Sequence, residues 1–392
     1  MNAIANETLS LQPSIRPQPA ELDALIAAAL ARLDRAMPQF ADRFPAPSSV
    51  DGIYAPIDNI EWTNGFWTGM LWLAWEFTGY DSYRAAAESN VQSFLDRVER
   101  RINVDHHDLG FLYTLSACAG HRLTGSDAGR TAGIEAARLL LARFDPVANV
   151  IQAWGDMRDP AQRGRMIIDC NLNLPLLFWA SRATGDSSFA DAAKRHLQQA
   201  ARYLVRPDAS TYHTFYIDTA SGQPRFGSTH QGHSDDSCWA RGQAWGIYGF
   251  ALGGLHTGDR GFAELAARLT NYFLNRLPAD GICCWDLVFT DDAGTPRDSS
   301  AAAIAACGLL ELVKELPVSD YRRDAYAAWA WRIVNALGTR YVAPIEGSNA
   351  LLLHAVYHMP NRVGVDEACI WGDYFYLEAL MRLRNVWAPY WG

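Results

Sequence analysis

"ATGDSSFADAAKRHL" (183–197) reads as the end of one helix, a turn and the start of another. Thr184-Gly185 stops the first, because glycine accepts the left-handed conformation in which helices end. A nearby Ser or Asp, such as Asp186, can cap the second. In that second helix Ala192, Ala193, Leu197 and Ala200 recur at a helical period and leave the opposite side polar. The same grammar returns in "FTGYDSYRAAAE" (77–88), "LTGSDAGRTAGIEAARLL" (123–140) and "HTGDRGFAELAARL" (256–269), with "LPVSDYRRDAYAAWA" (316–330) as a degenerate copy.

Before each of these turns runs a helix with apolar residues on several faces: about 63–78, 109–123, 171–184, 239–256 and 299–316. A sixth, 371–386, closes the chain. After each turn, and also at 20–36, runs a one-sided helix. All-round apolar helices belong inside and one-sided ones outside. Six of each in alternation predict an all-α fold, an (α/α)6 barrel of six inner and six outer helices. Strands are expected to be few, with the likeliest hairpin over 208–230 ("TYHTFYID", "GQPRFGS"). The repeats continue without a linker, so 20–392 is expected to be one catalytic domain and 1–19, polar and carrying Pro13, Pro17 and Pro19, a flexible tail.

The net charge of −9 argues against nucleic acid or an anionic membrane surface as the main partner. Seven cysteines without CxxC spacing read as reduced thiols of a cytoplasmic protein. No run is long enough to span a bilayer. The unusual feature is 14 Trp beside 16 Tyr and 16 Phe, which suits a cleft that stacks sugar rings, although core packing explains most such positions.

Polar groups collect just before the inner helices: Glu61 and Trp62; Asp105, His106, His107 and Asp108; Asp169; His230, Gln231, His233, Asp235, Asp236 and Arg241; Asp298; Asp366, Glu367, Trp371 and Asp373. If the inner helices run parallel, these groups meet at one mouth. Asp298 and Asp373 read as helix caps. Asp169 stands alone in the apolar run "RMIIDCNLNLPLLFWAS" (165–181), either capping a helix or working as an acid. Asp108 and Asp169, flanked by Trp62, Trp154, Trp239 and Trp245, have the layout of a carbohydrate-cleaving site. One acid must hold its proton while the other stays charged. "DHHD" (105–108) and "HQGH" (230–233) lack the HExxH spacing or Cys partners of a zinc site, so no metal is expected. No GxSxG elbow is present, and "GFWTGM" (65–70) does not match a phosphate loop.

Seven dispersed stretches together resemble the unsaturated glucuronyl hydrolases of glycoside hydrolase family 88, over roughly residues 50 to 390. They are "EWTNGFWTGMLWLAWE" (61–76), "HHDLGFLYTLS" (106–116), "IQAWGD" (151–156), "MIIDCNLNLPLLFWAS" (166–181), "STHQGHSDDSCWARGQAWGIYGF" (228–250), "DSSAAAIAACGLLEL" (298–312) and "GVDEACIWGDYFYLEALMR" (364–382). The resemblance implies an (α/α)6 barrel that needs no cofactor. It removes a 4,5-unsaturated uronic acid from the non-reducing end of oligosaccharides made by polysaccharide lyases, by hydrating the C4=C5 vinyl ether. It also implies Asp169 as general acid and base, Asp108 as stabilising carboxylate, and Trp62, His107, Trp154, His213, Gln231, Trp239, Arg241, Trp245 and Tyr357 as substrate-binding residues. The partner expected is a small unsaturated oligosaccharide, and the enzyme is expected to be a monomer or weak homodimer. Arg241 is also free to pair with Asp235 or Asp236.

Members that prefer sulfated disaccharides share a Ser- and Lys-containing loop before "GVDE". This chain reads "YHMPNRVGVDE" (357–367), with Arg362 and no serine, so the resemblance stops short of that loop. Two alternatives differ in class or substrate. The sister unsaturated rhamnogalacturonyl hydrolases share barrel and chemistry, but "HHDLGF" favours the glucuronyl family. A sugar epimerase on the same barrel would recruit His230 and His233.

Overall fold

The computed structural model describes residues 4–9, 16–160, 162–290 and 294–392. Its helices are α1 (Pro19–Ala36), α2 (Asn64–Thr78), α3 (Asp81–Glu99), α4 (Leu109–Tyr113), α5 (Ala119–Thr124), α6 (Asp127–Ala142), α7 (Pro175–Thr184), α8 (Ser187–Tyr203), α9 (Ala240–Thr257), α10 (Arg260–Leu274), α11 (Ser299–Glu315), α12 (Arg322–Arg340) and α13 (Ile370–Arg384). A π turn over Thr114–Cys118 joins α4 and α5 into one rod. The inner ring is then α2, α4–α5, α7, α9, α11 and α13, and the outer ring α1, α3, α6, α8, α10 and α12. In α9 every residue from Ala240 to Gly254 is buried, as an all-round apolar helix requires.

The recurring turn has a physical basis in each copy. Gly79, Gly125, Gly185 and Gly258 lie at φ of 73°, 73°, 79° and 70° and end their helices. The preceding threonine works in both directions: the Thr184 hydroxyl donates to Ala180 O (2.7 Å) and accepts from Asp186 N (3.2 Å). Thr78 and Thr257 repeat both bonds. Asp186, Asp259 and Ser126 then cap the outer helices through Ser188 N, Gly261 N and Gly129 N.

At the other end, groups at the N-termini of neighbouring inner helices touch. Trp62 stacks on Trp371 and leans on Phe111; Phe111 N bonds Asn173; Arg241 pairs with Asp298. The six inner helices therefore open at one mouth.

Short strands decorate that mouth. β1 (Phe44–Pro45) pairs with β2 (Pro56–Ile57), β3 (Phe144–Asp145) with β4 (Val150–Ile151), and β8 (Ala355–His358) with β9 (Val363–Glu367). A three-stranded antiparallel sheet joins β5 (Arg165–Ile167), β6 (Thr214–Ile217) and β7 (Pro224–Ser228), and its β6–β7 arm is the expected hairpin.

Three details differ from the sequence expectation. The third inner helix begins as a 3-10 turn over Ile168–Leu172, and its α-helix starts only at Pro175, so Asp169 rides on the turn. The last helix ends at Arg384, and the following chain folds back to bury Trp391 against Phe375. Within the expected tail, residues 4–9 lie on α10: Asn271 Nδ2 donates to Asn6 Oδ1 and Glu7 O, and Arg276 pairs with Glu7 at 3.0 Å. Residues 1–3 and 10–15 of that tail lie outside the described residues.

Candidate active site

Asp108 ends the loop before α4, and Asp169 sits on the 3-10 turn before α7. His107 Nε2 lies 3.4 Å from Asp108 Oδ1 and 3.4 Å from Asp169 Oδ1, and these three donor atoms converge within 4.8 Å. The carboxylate side chains keep 19% and 16% of their surface exposed, whereas the His107 ring behind them keeps 2%. Both acids thus line the bottom of an opening, with the imidazole as its wall.

Their environments push them apart. Burial and the charge of Asp108 raise the Asp169 carboxyl well above the usual carboxylate range, against the opposing pull of Arg241 and of backbone N–H groups. Burial also acts on Asp108, but the His107 and His106 imidazoles and Arg143 outweigh it and hold Asp108 below its ordinary value. Burial lowers His107 to about 4, so its ring is neutral at neutral pH. Asp169 Oδ1 and His107 Nδ1 are buried and have no hydrogen-bond partner among the described residues. An arrangement with one proton held, one charge held and polar atoms left open is built for a reacting molecule.

The expected binding residues divide into three groups. Trp62 is half-buried, donates from Nε1 to Tyr357 Oη (3.0 Å) and stacks on Trp371, forming an aromatic corner of the mouth. Trp154 is 36% exposed, with the Arg165 guanidinium over its ring and His230 at its edge. His213 is buried edge-on against Trp239; its Nδ1 accepts from His230 N (2.9 Å), which leaves Nε2 as an unpartnered donor. Its pKa is pushed well down, first by burial and then by neighbouring cationic groups.

Arg241 belongs to the second group, which positions others. It does not pair with Asp235 or Asp236: Nη1 contacts Asp298 (3.3 Å), Nη2 donates to Gln231 Oε1 (2.6 Å) and Tyr357 O (2.7 Å), and the guanidinium lies between Trp239 and Trp371. It fixes Gln231 and the β8–β9 hairpin. Asp298 still caps α11 through Ser300 N and Ala301 N, as expected. Asp373 is not a cap, because it accepts from Leu351 N, Leu352 N and the Tyr54 hydroxyl inside the protein.

Trp245 forms the third group alone. At 1% exposure it is buried between Phe111 and Phe375. His230 and His233 do not form a pair: the His230 ring meets Trp154 and His213, while His233 packs on Trp285 and Phe289.

Sequence reasoning passed over Arg143 and Asn173. Arg143 donates to Gln152 O (2.8 Å), Gly155 O (3.2 Å) and Asp105 O (3.1 Å), and so ties the Trp154 loop to the Asp108 loop. An Arg among apolar helix residues with an acid-rich loop upstream is the only signal it left.

Residues 33–340 match Glycosyl Hydrolase Family 88. The chain is 46% identical over 372 residues to the unsaturated chondroitin disaccharide hydrolase of Streptococcus pneumoniae, covering 95% of this chain and 94% of that protein. It is 45% identical over 358 residues to the unsaturated glucuronyl hydrolase of Bacillus sp. (strain GL1), covering 91% and 95%. The crystal structure of an unsaturated glucuronyl hydrolase from Streptococcus agalactiae superimposes with a TM-score of 0.96 at 42% identity, covering 100% of both chains.

Proposed function

We propose, for a chain that belongs to glycosyl hydrolase family 88 and hydrolyses unsaturated glucuronyl residues from oligosaccharides, that the reaction is hydration of the ring C4=C5 vinyl ether by Asp169, assisted by Asp108. The observation that carries this reading is the split pair: Asp169 raised, Asp108 lowered, and His107 at 3.4 Å from both.

The protonated Asp169 delivers its proton to C4, and positive charge develops on C5 and the ring oxygen. The Asp108 carboxylate stabilises that charge and orients the ring through its hydroxyls. Water adds at C5 while Asp169, now a carboxylate, takes its proton, so the acid is restored and one water is consumed. The resulting hemiketal opens to release the remaining sugar and a keto acid. Trp62, Tyr357, Trp154 and Trp239 supply ring faces, and the free Nε2–H of His213 supplies a donor for the sugar. Gln231, held by Arg241, supplies a further polar contact.

All seven cysteines are buried, which fits a reducing, cytoplasmic setting. Among the described residues no helix is long and apolar enough to cross a membrane. The working form is read as a monomer or weak homodimer acting on a small oligosaccharide, without nucleic acid or membrane as partner. The test is spectroscopic: an unsaturated chondroitin or hyaluronan disaccharide is incubated with the protein and its near-ultraviolet ene-carboxylate band is followed. The band is expected to decay. Its persistence across glycosaminoglycan, gellan, xanthan and rhamnogalacturonan fragments overturns the reading.

A further inference from the structure

Leu109, Gly110 and Phe111 are the first residues of α4, and their N–H groups have no partner within the helix. Asp108 stands at the N-cap, where an aspartate ordinarily turns its carboxylate onto the N–H of the second or third residue. It makes no such bond. The Phe111 N–H instead donates to Oδ1 of Asn173, 62 positions along the chain, at 2.8 Å. Asn173 is fully buried, and its Nδ2 reaches back to Asp169 O at 3.4 Å. The two segments meet so closely that a Cβ on Gly110 would fall 2.2 Å from Asn173 Cα.

We infer that Asn173 caps α4 in place of Asp108 and thereby frees the Asp108 carboxylate to face Asp169. Asn173 is a positioning residue: it takes over the capping duty and fixes the spacing between the two acid-bearing turns. This inference rests on the catalytic roles proposed above. The groups facing Asp169 are Asp108 and His107 from the lead-in to α4, Arg241 from α9 and Cys170 in its own turn. His213, just before β6, and His196 of α8 stand behind through His107, and Arg143 stands behind Asp108. Of the charged neighbours, Asp108 is the one a lost cap would move. Without Asn173, its carboxylate gains by rotating onto the Phe111 N–H, and its charge leaves Asp169.

The test is the pH profile of kcat on an unsaturated chondroitin disaccharide for the full chain. Asn173→Ala is expected to lower kcat at neutral pH by about tenfold or more, with KM changed less than about threefold. The alkaline limb should move down by about one pH unit, since a neighbouring like charge raises an acid by that order. Asn173→Asp keeps an acceptor at the same place and should hold the limb at or above its parent position. An unmoved limb in Asn173→Ala, or a limb below the parent in Asn173→Asp, overturns the inference. If Asn173→Ala fails to fold by circular dichroism, Asn173→Asp alone decides by the same criterion. Activity surviving in Asp169→Asn would refute the catalytic roles themselves; an inactive Asp169→Asn with an unmoved Asn173→Ala limb refutes only the cap.

Discussion

Deep in the barrel, Glu378 accepts from the Tyr248 hydroxyl (2.5 Å), from Arg382 Nε (2.9 Å) and from Trp391 Nε1 (2.8 Å), while Arg382 Nη1 reaches Glu311 at 2.6 Å. At the mouth, Asp169 and His107 leave buried polar atoms with no partner among the described residues. Both are buried acid clusters in one inner ring. The first pairs its acids with a shared cation and ties them to hydroxyl and indole donors, so it holds the helices together. The second leaves one acid protonated and one charged with atoms unmatched, a cost to folding that a substrate can recover.

Substitutions separate the two clusters sharply. Asp169→Asn is expected to reduce turnover by about a thousandfold or more, as loss of the only acid and base would, read from decay of the near-ultraviolet band. The same variant should melt higher than its parent, because the raised Asp169 opposes folding. The native protein keeps a proton that the unfolded chain gives up above the ordinary carboxylate range, so this residue makes stability fall as pH rises. The difference in Tm should therefore widen with pH and vanish at acidic pH; a lower Tm at every pH would contradict the picture. Asp108 acts with the opposite sign, its contribution present above its ordinary value and lost as pH falls through its lowered native value.

Arg382→Met should cost about 3–5 kcal/mol by stranding Glu311 and Glu378 without their cation. Chemical denaturation measures it, and the fraction that remains folded should turn over normally. A stable variant with impaired kcat would place this cluster in the chemistry instead.

Tryptophans sharpen the contrast. Trp245→Ala empties a core position and should cost about 3–5 kcal/mol in denaturation. Trp154→Ala, at the exposed rim, should leave Tm nearly unchanged and raise KM by about tenfold through lost ring stacking. The smallest effect concerns metal: dialysis against a chelator should leave kcat within error, because the proposed proton transfers run between Asp169, the substrate and water with no step through a cation.

Much of the barrel was legible because its signal is local. A Thr-Gly stop followed by Asp or Ser is written within a few residues, and the bonds of Thr184 and Asp186 lie within the same turn. The two acids were legible too, as polar residues at helix starts. The π turn over Thr114–Cys118 has no glycine or proline to announce it.

The sequence alone therefore determined the alternation of helices, the ring they close and the end at which acids and aromatics collect, since helical period and capping act over neighbouring residues. Only the tertiary structure decided how those groups share their bonds. Arg241 could find Asp298, and Asn173 could take the cap of α4, only once distant segments were brought together. The split between Asp108 and Asp169 likewise depends on burial and on a neighbour's charge, and no spacing along the chain encodes either.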